Sequence, residues 1–238
     1  FRYSPTVSLA LGDGRNQRPL NRIAVADGSF SLRDDEAVRA ARLAEFKAVV
    51  PDAEILPTPL PGLAAHVSGM ADRLVVLQDM IQTGSDAYSW PIVPKTQGGT
   101  LTDWMRLPWG HCEVVCLPGF RTGAESALKR HASGQDLFLT ACGLMASGSR
   151  TIVLSRWRTG GQSTYGMMAE FLDKGRSQPA EQAWRSAINK VRMGESVAGT
   201  EPRVRNDGKP TKTAHPFFWS GYLMIDVSSR SGELVPVE

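Results

Sequence analysis

The chain has 238 residues, of which 42% are hydrophobic and 21% are charged, and its formal net charge is +3. These values are typical of a soluble globular protein with one large domain or two small ones. No apolar run approaches the ~20 residues of a membrane span. The modest charge argues against a dedicated nucleic-acid-binding protein, which would carry a stronger basic stripe. We therefore expect neither a membrane nor a nucleic acid among its partners.

The three cysteines, Cys112, Cys116 and Cys142, form no regular disulfide framework. An odd number of this kind is typical of reduced thiols, so we expect a cytoplasmic location. Cys112 and Cys116 have CxxxC spacing with His111 beside them, but no further Cys/His pair completes the usual four ligands. The sequence therefore predicts no metal site. The chain begins at Phe1 instead of Met, which favours excision from a longer multidomain protein.

In the first half of the chain, short apolar runs alternate with one long helical pattern. The predicted strands are Val7–Leu11, Arg22–Ala26, Glu54–Leu56 and Leu74–Leu77, the last a buried central strand. A helix is expected to start at Asp34 or Asp35 and to end at Pro51, and Gly62–Met70 is predicted as a short helix. The apolar face predicted for the longer helix is Ala37, Val38, Ala41, Ala44, Phe46 and Val49. Residues 78–99 are predicted to form a long loop.

The second half continues the alternation. The predicted strands are Val114–Leu117, Thr151–Ser155 and Phe217–Val227. The predicted helices are a short turn from Thr100 or Thr102, then Ser126–His131, Asp136–Met145, Ser163–Asp173 and Ala180–Arg192. Residues 194–213 are predicted as a surface loop. No repeat or internal boundary is visible, so we expect one α/β domain over residues 1–238 with a mainly parallel sheet.

Six segments, in order, resemble the motifs of CHAT domains, which are caspase-like domains of the separase and caspase clan. The segments are Leu101–Thr102, Val114–Gly123 (VVCLPGFRTG), Ala141–Ser149 (ACGLMASGS), Val153–Trp157 (VLSRW), Pro179–Ala183 (PAEQA) and His215–Trp219 (HPFFW). Earlier in the chain, Tyr3–Pro5 and Ala71–Met80 resemble the family's opening and its His-bearing strand. The resemblance implies a caspase-like three-layer α/β/α sandwich. CHAT domains are often joined to tetratricopeptide repeats, so it also implies helical-repeat or other domains in the parent chain.

Peptidases of this family use a Cys nucleophile at the end of one strand and a His at the end of the preceding central strand. In this sequence the Cys position falls on Gly119, with Phe120 as the other possible register. The His position falls on Asp79. None of these residues has a thiol or an imidazole, so the resemblance implies a degenerate dyad with no catalytic residue.

Three residues are candidates to replace the missing dyad. Cys116 precedes Gly119 by three residues, but its position within the strand favours a buried thiol. Cys142 lies in LTACG, which mimics the family's nucleophile motif, yet its neighbours have helical spacing. His111 is expected at the start of a strand, on the edge opposite the site.

Four residues are candidates for ligand binding at the mouth of the predicted site: Phe120, Arg156, Arg158 and Trp90. The turn Gly160–Gly161 opens a predicted helix, whose N-terminus is suited to an anion. Arg203, Arg205, Lys209 and Lys212 form a basic cluster, which is expected to be solvated. His215 is expected to have a structural role.

We therefore expect a non-catalytic CHAT-like pseudopeptidase domain that binds a protein or peptide, with no cofactor. One alternative is an active cysteine endopeptidase that uses a displaced Cys/His pair. A second alternative is a domain that binds a small anionic ligand through Arg156, Arg158 and the glycine turn.

Overall fold

The computed structural model describes residues 22–28, 36–56, 71–79, 100, 102–103, 112–120, 135–157, 160–196, 201 and 210–227. The strands in this part of the chain are β1 (Ile23–Asp27), β2 (Glu54–Leu56), β3 (Arg73–Leu77), β4 (Val114–Leu117), β5 (Thr151–Ser155), β6 (Glu195–Ser196), β7 (Thr211–Lys212) and β8 (Tyr222–Asp226). The helices are α1 (Glu36–Val49), α2 (Gln135–Ala146), α3 (Gln162–Lys174) and α4 (Ala180–Met193), followed by a 3-10 turn at Pro216–Phe218.

Six strands form the main sheet in the order β2-β1-β3-β4-β5-β8. The first four pairings are parallel, and β8 runs antiparallel to β5 at one end of the sheet. The short strands β6 and β7 pair with each other in a separate antiparallel sheet. The predicted mainly parallel sheet is therefore confirmed.

Helices cover both faces of the sheet. On β1, Ile23 and Val25 point toward Phe46 of α1 and the buried faces of α3 and α4. Ala24 and Ala26 point the other way, into the cluster that includes α2. Successive strand residues face opposite sides of the sheet, and helices cover both sides. The strands β1, β3, β4 and β5 are therefore apolar almost throughout. This arrangement is the three-layer α/β/α sandwich that was expected.

The predicted face of α1 was wrong in part. Ala37, Ala41 and Ala44 are exposed, and the buried side chains of this helix are Arg42 and Phe46. Alanines count as apolar in a sequence pattern but have little surface to bury. The long aliphatic stem of an arginine covers more of the neighbouring layer than a methyl group does.

Two C-terminal predictions also need correction. The strand expected at Phe217–Val227 begins only at Tyr222, because Pro216–Phe218 forms the 3-10 turn. Pro suits the first position of such a turn, and Nδ1 of His215 accepts a hydrogen bond from the Phe217 backbone at 3.2 Å. Residues 194–213 are not surface loop throughout, since they contribute β6 and β7 and the buried Glu201.

The elements predicted at Val7–Leu11, Gly62–Met70 and Ser126–His131 lie outside the described residues, as does most of the loop predicted at 78–99. The extent of the domain over 1–238 stays a prediction. Within the described residues, no helix is both long enough and apolar enough to cross a membrane.

A buried arginine joins the sheet to α3. Arg73 begins the central strand β3, and its guanidinium donates to the carbonyl oxygens of Leu172 at 2.9 Å and Gly175 at 2.8 Å. The last carbonyls of a helix have no partner within the helix, so this side chain satisfies groups that would otherwise be buried without one. Burial lowers the pKa of Arg73 from its usual value.

Replacing Arg73 by Met keeps much of the aliphatic length but removes both donors. We expect the free energy of unfolding to fall by about 2–3 kcal/mol, because hydrogen bonds from a charged group to buried carbonyls are lost. Urea unfolding measures the change. The control is Arg185→Gln, which breaks the exposed pair with Glu181 on α4 and should cost less than about 0.5 kcal/mol. Equal losses in the two variants would contradict this role for Arg73.

Candidate functional site

The carboxyl ends of β1, β3, β4 and β5 meet at one edge of the sheet. The strand order reverses at β1, which has β2 on one side and β3 on the other. In open α/β sheets, ligands bind outside the carboxyl ends of the strands near such a reversal. The residues that follow the strands here are Gly28, Gln78 and Asp79, Pro118–Phe120, and Arg156 and Trp157.

Gly119 lies in a tight turn at the end of β4. The Phe120 backbone N–H donates to the Leu117 carbonyl at 3.0 Å, which closes the turn. A Cβ placed on Gly119 would lie 2.6 Å from the carbonyl carbon of Gln78 and closer still to its oxygen. Real Cβ atoms do not approach backbone atoms this closely, so any side chain at this position requires the backbone to move.

Asp79 lies beside Gly119. A Cβ added at residue 119 would be 3.1 Å from the Asp79 Cα. The parallel pairing of β3 with β4, with Val75 opposite Cys116, brings the two strand ends to the same level. The structure therefore places the two predicted dyad positions next to each other. Asp79 is half-buried, and its Oδ1 is shielded from solvent.

Gln78 contacts two glycines with two different parts of the residue. Its carbonyl lies against Gly119, and its side chain lies over Gly28, where an added Cβ would be 2.6 Å from the Gln78 Cδ. The Gly28 N–H also donates to the Leu77 carbonyl at 3.1 Å. Gln78 thus fills the space between the ends of β1, β3 and β4. The sequence analysis did not predict this role for Gln78. The only sign of it in the sequence was a glycine shortly after each of the two neighbouring strands, Gly28 after β1 and Gly119 after β4.

Phe120 was predicted as a binding candidate, and the structure places its ring in the core. The side chain is fully buried in the cluster that includes Leu117 and Leu144. The Ser155 hydroxyl at the end of β5 donates to the Phe120 carbonyl. Phe120 therefore fixes the turn after β4 to the layer containing α2.

The three cysteines, of which Cys116 and Cys142 were candidate replacements, lie away from this turn or inside the sheet. Cys116 is fully buried on the face covered by α1, α3 and α4, and desolvation raises the pKa of its thiol to about 12. Cys112 is buried on the other face, and desolvation likewise raises its pKa to about 12. Cys142 lies in α2, as predicted, where partial burial raises its pKa.

His215 is the one histidine within the described ranges. It is exposed and caps the 3-10 turn near β8, so its role is structural in this conformation. His111 lies outside the described residues, as do Arg158 and Trp90. In the part of the chain that the structure describes, no group of three or more His, Cys, Asp or Glu side chains could hold a metal ion.

Two residues follow β5 at the same edge. Arg156 is exposed, and its guanidinium carbon is 6.0 Å from the centre of the Trp157 ring. The Arg156 backbone N–H donates to the Gly221 carbonyl at 2.7 Å. The Trp157 Nε1 is buried and finds no acceptor among the described residues. A buried donor without an acceptor is uncommon and calls for an explanation.

The helix α3 begins where the glycine turn was predicted. Gly160 and Gly161 have φ values of 130° and 95°, which glycine adopts readily. The N-terminus that was expected to suit an anion is occupied by the carboxylate of Glu201, which accepts from the Ser163 N–H at 2.6 Å and from its hydroxyl at 2.8 Å. No local pattern indicates this role for Glu201, because it lies 38 residues further along the chain.

The predicted helix start at Thr100 has three hydrogen bonds between Thr100 and Asp103, which run in both directions. The Asp103 carboxylate accepts from the Thr100 N–H at 3.2 Å and from the Thr100 hydroxyl at 2.6 Å. The Asp103 N–H in turn donates to the Thr100 hydroxyl oxygen at 3.2 Å. This is the arrangement of a capping box.

The model of the CHAT domain family matches residues 100–226, from this capping box to the end of β8. The chain belongs to the CHAT domain family. It is therefore a caspase-like domain related to the peptidases of that clan. Searches of the curated proteins and of the solved structures found no match.

Gly119 of this CHAT domain should not tolerate a side chain. We expect Gly119→Ala to lower the free energy of unfolding by about 3 kcal/mol, because the new methyl group must displace backbone atoms of Gln78. Urea unfolding again measures the effect. The matched control is Gly166→Ala in α3, where an added Cβ meets nothing within 4 Å. That variant should gain about 0.5–1 kcal/mol from helix propensity. A mild effect at residue 119 would show that the turn adapts easily.

The thiols of the CHAT domain should differ in reactivity. Since only the thiolate is a good nucleophile, a pKa near 12 leaves Cys112 and Cys116 almost entirely protonated below pH 9. We expect iodoacetamide to label Cys142 first in the native protein at pH 8, and the other two only after unfolding. Peptide mass spectrometry identifies the labelled site. Rapid native labelling of Cys116 would contradict its burial.

Proposed function

We propose that this CHAT domain is a pseudopeptidase that acts as a non-catalytic protein-interaction or regulatory module. The observation that carries the proposal is the contact of Gly119 with the backbone of Gln78. A peptidase of this type needs a thiol that reaches the scissile carbonyl from this turn. Here the turn has neither the side chain nor the space for one.

The neighbouring position supports the same proposal. Asp79 carries a carboxylate where the family's general base is an imidazole. A thiolate beside a carboxylate is disfavoured, because two negative charges would repel each other. Asp79 is therefore poorly suited to activate a thiol.

An active cysteine endopeptidase has little support from the described thiols. At a pKa of about 12, only about one Cys116 thiol in 10⁵ is ionised at pH 7. The same side chain is fully buried within the sheet and cannot reach a substrate without local unfolding. Binding of a small anion at α3 also loses support, because Glu201 already takes the hydrogen bonds of Ser163.

A peptide-binding role fits the remaining features of the edge. The exposed Arg156 offers a cation beside the Trp157 ring. The buried Trp157 Nε1 finds no acceptor among the described residues, and a carbonyl of a bound segment would satisfy it once the ring turns toward that segment. The partner would be a protein or peptide, and helical-repeat or other domains of a longer parent chain are candidates. We place this module in the cytoplasm, where its three cysteines stay reduced.

Restoring the dyad residues should not restore a peptidase. We expect the double variant Asp79→His/Gly119→Cys to cleave no member of a random peptide library, because the thiol cannot be accommodated against Gln78. Mass spectrometry of the library detects cleavage, and circular dichroism establishes which variants remain folded. The control Asp79→His alone keeps the glycine and should remain folded. Peptide cleavage by the unmodified protein, abolished by Cys116→Ala or Cys142→Ala, would overturn the proposal.

Binding without cleavage is the positive test. Peptides retained from a displayed library by the unmodified protein should have unchanged mass after release. Their affinity, measured by fluorescence polarisation, should fall about tenfold in Trp157→Phe, the factor that corresponds to loss of one hydrogen bond worth ~1.4 kcal/mol. Arg185→Gln, on the exposed face of α4, is the control and should bind normally. Failure of every peptide to bind would contradict a peptide-interaction role.

A further inference from the structure

An exposed methionine is the last residue of α4. Met193 is 86% exposed, and the preceding Arg192 is exposed as well. Single apolar side chains are common on protein surfaces, whereas contiguous apolar patches mark interaction sites. Met193 is of interest because the chain that packs against this end of α4 exposes further apolar groups.

The chain that follows β7 is fixed against the end of α4. The Thr213 backbone N–H donates to the Gly194 carbonyl at 3.2 Å, and the Thr213 hydroxyl donates to the same oxygen at 2.7 Å. The Trp219 Nε1 donates to the Ala214 carbonyl at 3.1 Å, and the guanidinium carbon of Arg192 lies 5.2 Å from the centre of the Trp219 ring. The indole of Trp219 therefore connects Arg192 to Ala214.

Exposed apolar groups on this chain extend the patch that begins at Met193. Ala214 and Pro216 are exposed, and Trp219 is partly exposed. Pro216 begins the 3-10 turn, and its carbonyl accepts from the Trp219 backbone N–H at 3.2 Å. We call Arg192, Met193, Ala214, Pro216 and Trp219 the Met193 surface. Because hydrogen bonds hold its backbone in place, little conformational freedom is lost when a partner binds.

Arg192 is a cation that no carboxylate of the described residues neutralises. Elsewhere on α4, Arg185 pairs with Glu181, and Lys190 pairs with Glu170 at 2.9 Å. Among the described residues Arg192 has no ion pair and lies over an aromatic ring instead. The dipole of α4 favours a cation in the last turn of the helix. It does not account for an exposed methionine beside that cation.

The charges next to the Met193 surface leave it with one excess cation. Glu195 and Lys212 are both exposed and lie opposite each other in the pairing of β6 with β7, so their charges offset each other. Arg192 is then the cation that remains. A membrane surface is bound by clusters of basic residues. A single excess cation within an apolar patch fits a protein segment better than it fits a membrane.

We propose that the Met193 surface docks an acidic amphipathic segment of a partner protein. A carboxylate of that segment pairs with Arg192, whose planar guanidinium matches a carboxylate with two parallel N–H donors. An apolar side chain beside the carboxylate packs on Met193 and Pro216. Arg, Met and Trp are enriched at protein interfaces, and the flexible thioether of methionine adapts to a range of partner side chains. This docking does not depend on the peptide role proposed for Trp157.

Peptide selection followed by binding measurements tests the docking surface. From a displayed library of short random peptides, we expect the unmodified protein to enrich those in which Asp or Glu lies next to a bulky apolar residue. Fluorescence polarisation should show that affinity for these peptides falls about tenfold in Arg192→Gln, because a charge-assisted hydrogen bond is lost. In Met193→Gln it should fall about fivefold, because apolar packing is lost while the arginine is kept. Circular dichroism establishes that both variants remain folded.

The matched control is Arg185→Gln, which removes the same charge from α4 about two turns before Met193. It should leave the affinity unchanged. A loss in Arg185→Gln equal to that in Arg192→Gln would overturn the proposal, because attraction would then depend on overall charge. The proposal is also wrong if the library yields no acidic peptides, or if neither Arg192→Gln nor Met193→Gln weakens their binding.

Two further measurements separate this surface from other binding sites. Peptides that lose affinity in Trp157→Phe but not in Arg192→Gln would count for the carboxyl edge of the sheet and against the Met193 surface. We also expect no co-sedimentation with phosphatidylserine vesicles. Co-sedimentation that is lost in Arg192→Gln and in Met193→Gln would overturn the proposal in favour of a lipid surface.

Discussion

The contact between Gly119 and the Gln78 carbonyl determines how the carboxyl ends of the central strands meet. Parallel pairing in a fixed register brings the ends of β3 and β4 to one level. Beyond the pairing, the backbones approach so closely that only a residue without Cβ fits. The Gln78 side chain also lies over Gly28. Gln78, at the end of β3, therefore contacts the residues that follow both neighbouring strands, β1 and β4. No side chain can project from residue 119 without a shift of the backbone, because backbone atoms of Gln78 occupy the place of its Cβ.

The parallel strands were predicted well from sequence, because both faces of this sheet are covered. A strand buried on both sides is mostly a continuous apolar run, and the bounds of β4 and β5 match the prediction. Helix positions were also close. The prediction of which α1 residues are buried was less accurate. Periodicity alone cannot show that the aliphatic stem of Arg42 is buried while the methyl group of Ala41 is exposed.

The features that sequence reasoning missed depend on partners far apart in the chain. Gln78 gains its role only because β1 and β4 flank β3, and Glu201 only because the chain returns to α3 after 38 residues. The last three residues of the HPFFW segment, Phe217–Trp219, were assigned to a strand. Pro216 and the His215 side chain instead stabilise a 3-10 turn there. Local hydrogen bonding by a side chain overrides β propensity at this point.

Polar side chains form hydrogen bonds at both edges of the sheet. At the amino edge of the parallel strands, the buried Asp72 accepts from the exposed Arg22 at 3.1 Å, and the buried Thr151 hydroxyl donates to Asp226 at 2.9 Å. Breaking such a buried contact leaves a polar group without a partner, so this edge resists change. At the carboxyl edge, the Ser155 hydroxyl donates to the Phe120 carbonyl and the Tyr165 hydroxyl donates to Asp27 at 2.8 Å. The order of the strands therefore does not depend on Asp79 or on a side chain at residue 119, because the two apolar layers and these hydrogen bonds already specify it.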